Sequence, residues 1–532
     1  MRKINDPIFM EISWSRIISF VDEAAAALVR TAFSPIIREA EDYAVVLFDG
    51  NGNSLAQSTT SAPSFIGTLP KTIRHFQAAM RDEGWHPGDV VITNDPWIGS
   101  GHLQDISMVA PIFNRGGRLV AFSGVVAHPP DMGGRWTAEN REIYEEGLQL
   151  PICKLMRRGE PNKDIFNIIR ANVRVPDQVI GDIHAMMASC SVAADRLTGF
   201  MEETGLESLD ELAAAIHNFT ETAVRKCIEE IPDGTYRYEY EIDGYDHPLK
   251  IAATLKVKGS DIHMDYTGSS AQVERAINCP LVYTNAFTVY PLICAINPQV
   301  PNNEGMLRPF TVTAPSRSIL NPAYPAAVGA RNLTGHLLTT AVFGTLAQAL
   351  PADRIANRLL ADSASPRPHI VVTGQDDAGR PFSSMMFIAG GMGARPNKDG
   401  IACIAFPSSA RNTSVEILEN SAPFMIERKS IRENSGGSGH YRGGDGQIFD
   451  LRVRAKNGAS ITVFSDRARF PPRGMDGGEP GAGTEIKVNG KPVPSKGTVR
   501  LKQGDLLTIL SPGGGGYGAA AQDIVAMTDS SA

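Results

Sequence analysis

The chain has 532 residues, 42% apolar and 20% charged, with a net charge of −7. The length exceeds one core and predicts about two to four domains. The composition excludes a disordered chain, and the absence of a basic footprint argues against nucleic acid as a partner.

Six scattered cysteines (Cys153, Cys190, Cys227, Cys279, Cys294, Cys403) contain no Cys-x-x-Cys. They argue against a disulfide framework and a thiolate metal site, and suit buried free thiols in a reducing, cytoplasmic compartment. The opening MRKINDPIFMEISW has no apolar h-region, so no signal peptide is read.

Asp6-Pro7 predicts an N-cap and a first helical proline, opening a helix over 8–33 with Ile17, Val21, Ala24, Ala25 and Leu28 at helical spacing. Tyr43–Asp49 and Ser54–Gln57 bracket Gly50-Asn51-Gly52-Asn53 as a hairpin. Arg38, Glu39, Glu41 and Asp42 before it could contact a substrate, but charges at a helix–strand junction read first as a solvated or salt-bridged surface. A helix is predicted over 70–83, then a strand over 90–93 ending at Asn94-Asp95-Pro96.

The stretch from Asn94 to Gly134 carries His-x-x-Asp twice, as His102/Asp105 and His128/Asp131. Two β-rich runs, 107–113 and 118–126, flank the turn Asn114-Arg115-Gly116-Gly117. Pairing Phe113 with Arg118 sets Asp105 opposite Val126 and Leu103 opposite His128. Two imidazoles and two carboxylates then meet at the hairpin mouth, a donor set suited to one divalent Zn, Mn or Fe ion. Asp95 is a fifth candidate, as ligand, second-layer partner or base; an Asx-turn acceptor is its alternative role. The acidic run over 137–147 reads as a helix, with Glu146 as a further candidate base and a solvated acidic face as the competing reading.

Beyond it, 181–203 reads as a helix with His184 as a core histidine. Runs over 236–246, 249–256 and 261–266 alternate as an antiparallel sheet. Residues 276–303 carry no charge but several Pro and Asn, which favours a helix buried in a core over a membrane span. A second buried helix is expected over 333–350. The Gly-rich 390–395 lacks the lysine of a phosphate loop and reads as a tight turn or pocket wall. From Pro423 onward the pattern is β and turn, and no internal repeat is found.

The expected fold is multi-domain α+β, with antiparallel sheets, buried helices and a β-rich C-terminal region. Its expected divisions are an N-terminal domain over 1–235 bearing the metal hairpin, a central domain over 236–422, a β-rich domain over 423–520, and a tail over 521–532.

These residues resemble the hydantoinase B/oxoprolinase family, across nearly the whole chain. The resemblance rests on RTAFSPIIREAEDYAVVLFD (30–49), NDPWIGSGHLQD (94–105), HPPDMGG (128–134), EEGLQLP, NVRVPDQVIGD, PNNEGMLRP, GGMGARPNKDG, GGSGHYRGG and PGGGGYG. It implies a divalent metal on His102, Asp105, His128 and Asp131, and a partner, a hydantoinase A-type ATPase subunit, holding ATP and Mg in a hetero-oligomer. The implied activity is ATP-dependent hydrolysis of a small cyclic amide, a carbonyl-phosphorylated ring passing from partner to metal, with Asp95 or Glu146 as general base. An acetone- or acetophenone-type carboxylase subunit and a non-catalytic structural subunit are the alternatives. The chain departs from the family at Ser100 (for Gly), at Pro129-Pro130 (for a His-His-Ala-Asp pattern) and at Phe65 (for His).

Overall fold

A computed structural model describes residues 6–296, 299–351 and 358–520; the expected tail lies outside the described residues. The fold is α+β, with four sheets and helices packed among them.

The first sheet has seven strands, in the order Ser54–Gln57, Tyr43–Asp49, Leu119–Ala127, Ile106–Phe113, Val90–Thr93, Cys153–Arg157 and Glu160–Pro161. Its central strands are apolar on both sides because both faces are covered. Tyr43, Val45 and Leu47 meet Ile17 and Leu28 of the helix Pro7–Thr31 and Ile183 of the helix Pro176–Thr204. Ala44, Val46 and Phe48 meet Phe65, Leu69 and Ile73 of the helix Pro63–Ala79. The Asp6 carboxylate accepts from Ile8 N at 3.0 Å, so the expected cap forms.

The second sheet pairs Gly234–Ile242, Leu249–Lys258 and Asp261–Asp265 antiparallel, as expected, and adds Phe310–Thr313 parallel to the last. The charge-free stretch forms the helix Leu281–Ile296, buried against this sheet with Leu338–Ala349. No helix among the described residues is long and apolar enough to cross a membrane. The third sheet runs Pro381–Phe387, His369–Gln375, Ala459–Phe464, Lys496–Leu501, drawing strands from both sides of residue 423. One of its faces, with Ile370, Val372, Ile461 and Val463, closes a core against Phe449, Leu451 and Ile509 of the five-stranded fourth sheet.

Two expectations change. The helix expected at 70–83 spans Pro63–Ala79: Pro63 takes the opening place suited to proline, and Pro70 lies inside. Residues 137–147 are not a helix. They hold one 3-10 turn, Ile143–Glu145, because the Glu145 carboxylate accepts from Arg141 N and Glu142 N and closes the chain on itself.

The Gly-rich tracts around 391, 437, 444 and 514 come together as one block. They lie side by side, with Gly514 N donating to Gly444 O at 2.9 Å, Gly437 N to Gly514 O at 2.8 Å and Ala394 N to Gly515 O at 2.9 Å. A Cβ on Gly514 would overlap the Met392 carbonyl, so backbones rather than side chains fill this block.

Candidate metal centre

The central hairpin forms, in a register that differs from the expected one. Phe113 pairs with Leu119, Ile106 with Ala127, and a bulge sits between Ile112 and Phe113. Arg118 belongs to the turn: its N donates to Asn114 Oδ1 at 3.0 Å, and Asn114 N donates to its carbonyl at 2.9 Å. Continuing the observed register sets Asp105 level with His128, where the chain leaves the sheet.

Asp105 is the hub. Its Oδ1 lies 2.6 Å from His128 Nδ1. Its Oδ2 accepts from Ser100 Oγ at 2.5 Å and Arg331 Nη2 at 2.8 Å, and stands 2.8 Å from His102 Nε2. Burial pushes this carboxyl up, but the neighbouring His102, the Arg331 guanidinium and the His128 hydrogen bond override it and hold it well below the usual range. His102 is driven down to about 4 by burial and the Arg331 charge, against the opposing pull of Asp105, so its ring is neutral at pH 7. Its Nδ1 faces Gly329 O at 3.2 Å, which places the ring proton there and leaves Nε2 a lone pair.

The Nε2 atoms of His102 and His128 are both buried, and neither makes a hydrogen bond. A lone pair 2.8 Å from a carboxylate oxygen is repelled unless a cation is shared between them. His102, Asp105 and His128 each offer a ligand atom, all within 4.8 Å of one another. This donor set fits a borderline divalent ion.

The triad faces a cavity of about 60 Å³ whose wall includes Asp42, Phe65, Trp136, Arg331, His336 and His369. Several of these carry chemistry that sequence reasoning passed over. Asp42 is held up at about 6 by burial, against the lowering effect of His128. Its carbonyl accepts from His128 N at 3.2 Å, and the adjacent Tyr43 pairs with Ala127. Extending the two hairpins into one sheet is the signal that would have found it. Burial, with the Arg331 and Arg367 charges, drives His336 well below its ordinary value; burial and Arg367 bring His369 to about 3. Both come from segments more than two hundred residues downstream, and no local pattern marks them. Arg331 lies 4.0 Å over the Tyr283 ring and donates Nε to Ser100 O at 2.7 Å.

The other sequence candidates stand elsewhere. Asp131 does not join the triad: Arg174 takes its carboxylate through Nη1 at 2.5 Å and through its backbone N. The Asp95 carboxylate accepts from Trp97 N at 2.9 Å, the Asx-turn role, and does not line the cavity. Glu146 is fully buried behind the wall, its Oε1 accepting from Val328 N at 2.8 Å and Gly329 N at 2.7 Å. Burial pushes it up to about 8 despite those two donors. It reaches the site through the Gly329 peptide, whose carbonyl accepts from Trp136 Nε1 at 2.9 Å and faces His102, and through Gln104, whose Nε2 donates to the Glu146 carbonyl at 3.2 Å.

Residues 6–520 match the sequence profile of the family described as Hydantoinase B/oxoprolinase. A putative D-/L-hydantoinase subunit from Pseudomonas sp. (strain NS671) is 30% identical over 97% of this chain and 90% of its own length. A 5-oxoprolinase of Dictyostelium discoideum is 27% identical over 96% of this chain, which spans 40% of that longer protein. The ATP-dependent caprolactamase from Pseudomonas jessenii superposes with a TM-score of 0.88 at 24% identity, covering 99% of this chain and 94% of its own. An acetone carboxylase superposes with a TM-score of 0.86 at 20% identity, covering 99% and 78%. At those identities the two structures show a shared fold, and a fold alone does not carry an activity. Profile and relative together place this chain in the hydantoinase B/oxoprolinase family.

Proposed function

We propose that this chain is the metal-binding subunit of an ATP-dependent cyclic amide hydrolase, acting on a ring whose carbonyl an ATPase partner has phosphorylated. The observation that carries the reading is the pair of buried, hydrogen-bond-free Nε2 atoms beside Asp105. His102, Asp105 and His128 would hold the ion. Bound there, a divalent metal supplies Lewis acidity, polarising a carbonyl and acidifying water.

The chain's own groups do the rest. Asp105 orients the His128 imidazole and Gly329 O that of His102, and Arg331 holds Asp105 from behind while placing positive charge at the cavity wall. Asp42, the remaining carboxylate of the cavity, takes the proton from the attacking water; its value of about 6 suits a base working near neutrality. The neutral His336 and His369 line the cavity without adding charge that would repel a cation. The tight walls exclude bulk water from an activated, hydrolysis-prone ring.

His128→Ala is expected to remove both bound metal and ring opening while leaving the assembled complex intact. Elemental analysis, size-exclusion chromatography and ring-opening assays read these outcomes, and full activity in that variant sinks the reading. A carboxylase would use the same centre to hold bicarbonate or CO2 beside a phosphorylated enol. ATP turnover by the complex, with hydantoin against ketone and with or without bicarbonate, separates the two. A protein that purifies without tightly held metal would point to a structural subunit.

A further inference from the structure

The metal cavity is too small for the molecule it is meant to act on. Its volume is about 60 Å³, whereas a benzene-sized ring needs roughly 150 Å³. A second chamber, of about 130 Å³ and by itself also short of that volume, lies next to it, and Trp136 lines both, so only the two spaces joined hold such a ring.

The floor beneath both spaces is one face of the third sheet. Its cross-strand rows change character step by step. At the metal end, Phe387, His369 and Phe464 are partners, an aromatic row. The next row is Met385, Val371, Thr462 and Thr498. The third is Ser383, Thr373 and Ser460, three hydroxyls ended on the outer strand by the exposed Arg500. Because side chains alternate along a strand, positions 369, 371 and 373 share this face, while Ile370 and Val372 point into the C-terminal core. Trp136 sits over the first row, 5.2 Å from the Phe464 ring and 6.1 Å from His369, and packs 5.2 Å from His128 on the metal side. Its one polar atom is tied to Gly329 O, the carbonyl that also faces His102.

The chamber offers hydrogen bonds without free charge. Gln104, Thr373, Ser383, Ser460 and Thr462 line it. The charged groups at its edge are matched in pairs, Asp131 with Arg174 at 2.5 Å and Arg135 with Glu139 at 3.3 Å. A neutral, ring-sized body with a polar edge fits this surface; a free anion or an apolar ring does not.

We infer that the hydroxyl-lined chamber on the third sheet is a subsite for the body of a small polar heterocycle, a cyclic amide or imide, with Trp136 the movable partition between it and the metal cavity. The inference rests on the hydrolase reading and locates the part of the substrate that the metal does not touch. The reacting carbonyl would reach the triad only when the indole leaves Gly329 O and the two spaces join.

Direct binding to the full chain tests it, with hydantoin, ε-caprolactam and 2-pyrrolidinone as neutral probes, in metal-loaded and metal-stripped protein. At least one probe is expected to bind saturably by calorimetry in both forms and to change tryptophan fluorescence. Trp136→Phe should abolish the fluorescence change while retaining the heat of binding. Thr373→Val combined with Ser460→Ala should weaken binding about tenfold, the loss of one or two hydrogen bonds, with metal content unchanged. Ser383→Ala, on the same row, replaces the double variant if that one fails to fold. Absence of binding by all three probes overturns the proposal, as does binding indifferent to the hydroxyl row, or binding that needs the metal and ignores the row. The hydrolase reading fails on a different result, ring opening that survives His128→Ala, so the two failures are distinguishable.

Discussion

The two His-x-x-Asp motifs have identical spacing and opposite fates. In the first, His102 and Asp105 both face the metal cavity, because the Gly99–Gly101 loop, with Gly101 at φ +96°, wraps the chain around Arg331. In the second, His128 joins the site while Asp131 leaves it for Arg174. Between His128 and Asp131 stand Pro129 and Pro130. Proline fixes φ near −65° and keeps its predecessor extended, so the chain runs straight on and carries Asp131 away. Residue spacing therefore proposes a ligand pair, and the backbone between the two decides whether both arrive.

Asp105→Asn should break the first motif with the largest effect. It removes the charge that both imidazoles and the buried Arg331 depend on. Metal and ring opening should fall to background, and urea unfolding should show a loss of about 3 kcal/mol, as expected when a buried ion pair loses one partner. Retention of stoichiometric metal would contradict the hub role.

Glu146 probes the support behind His102. Its carboxyl is held up at about 8 by burial, against an ordinary value of 4.5. A raised acid favours the protonated folded state, so its contribution to stability is full at low pH and is lost as pH rises through about 8. Thermal melts should show the wild type losing about 4 kcal/mol more than Glu146→Gln between about pH 5 and pH 8.5. Parallel curves for the two proteins would show that Glu146 is already ionised in the folded state.

Asp131→Asn is the smallest change and the sharpest discriminator. Metal content should match the wild type, while stability falls by about 1–2 kcal/mol through the weakened hold on Arg174 and its backbone N. Loss of metal in this variant would return Asp131 to the ligand set and erase the contrast between the motifs.

Much of the fold is legible in local patterns. The Asp6 cap, the 43–57 hairpin, the antiparallel run from residue 234 and the buried charge-free helix all follow from periods of 2 or 3.6 and from capping or turn residues. Three of the four proposed metal ligands converge for the same reason, since a hairpin joins its own neighbours. Asp42 reads as surface because a charge beside a helix is usually solvated, and only the pairing of two hairpins in one sheet turns it inward. The acidic 137–147 run errs in a related way: a solvated face is the common role for such a run, and the loop instead buries Glu146.

Short motifs spread along the chain were enough to suggest the family, and neighbouring residues to mark the hairpin and the histidines and aspartate at its mouth. Long-range packing alone decided what surrounds them: Arg331 behind Asp105, His336 and His369 in the wall, and a sheet face graded from aromatic to hydroxyl. The physical reason is that burial and long-range pairing set the protonation of a histidine and the neighbour of a carboxylate, and neither is written in the residues adjoining them.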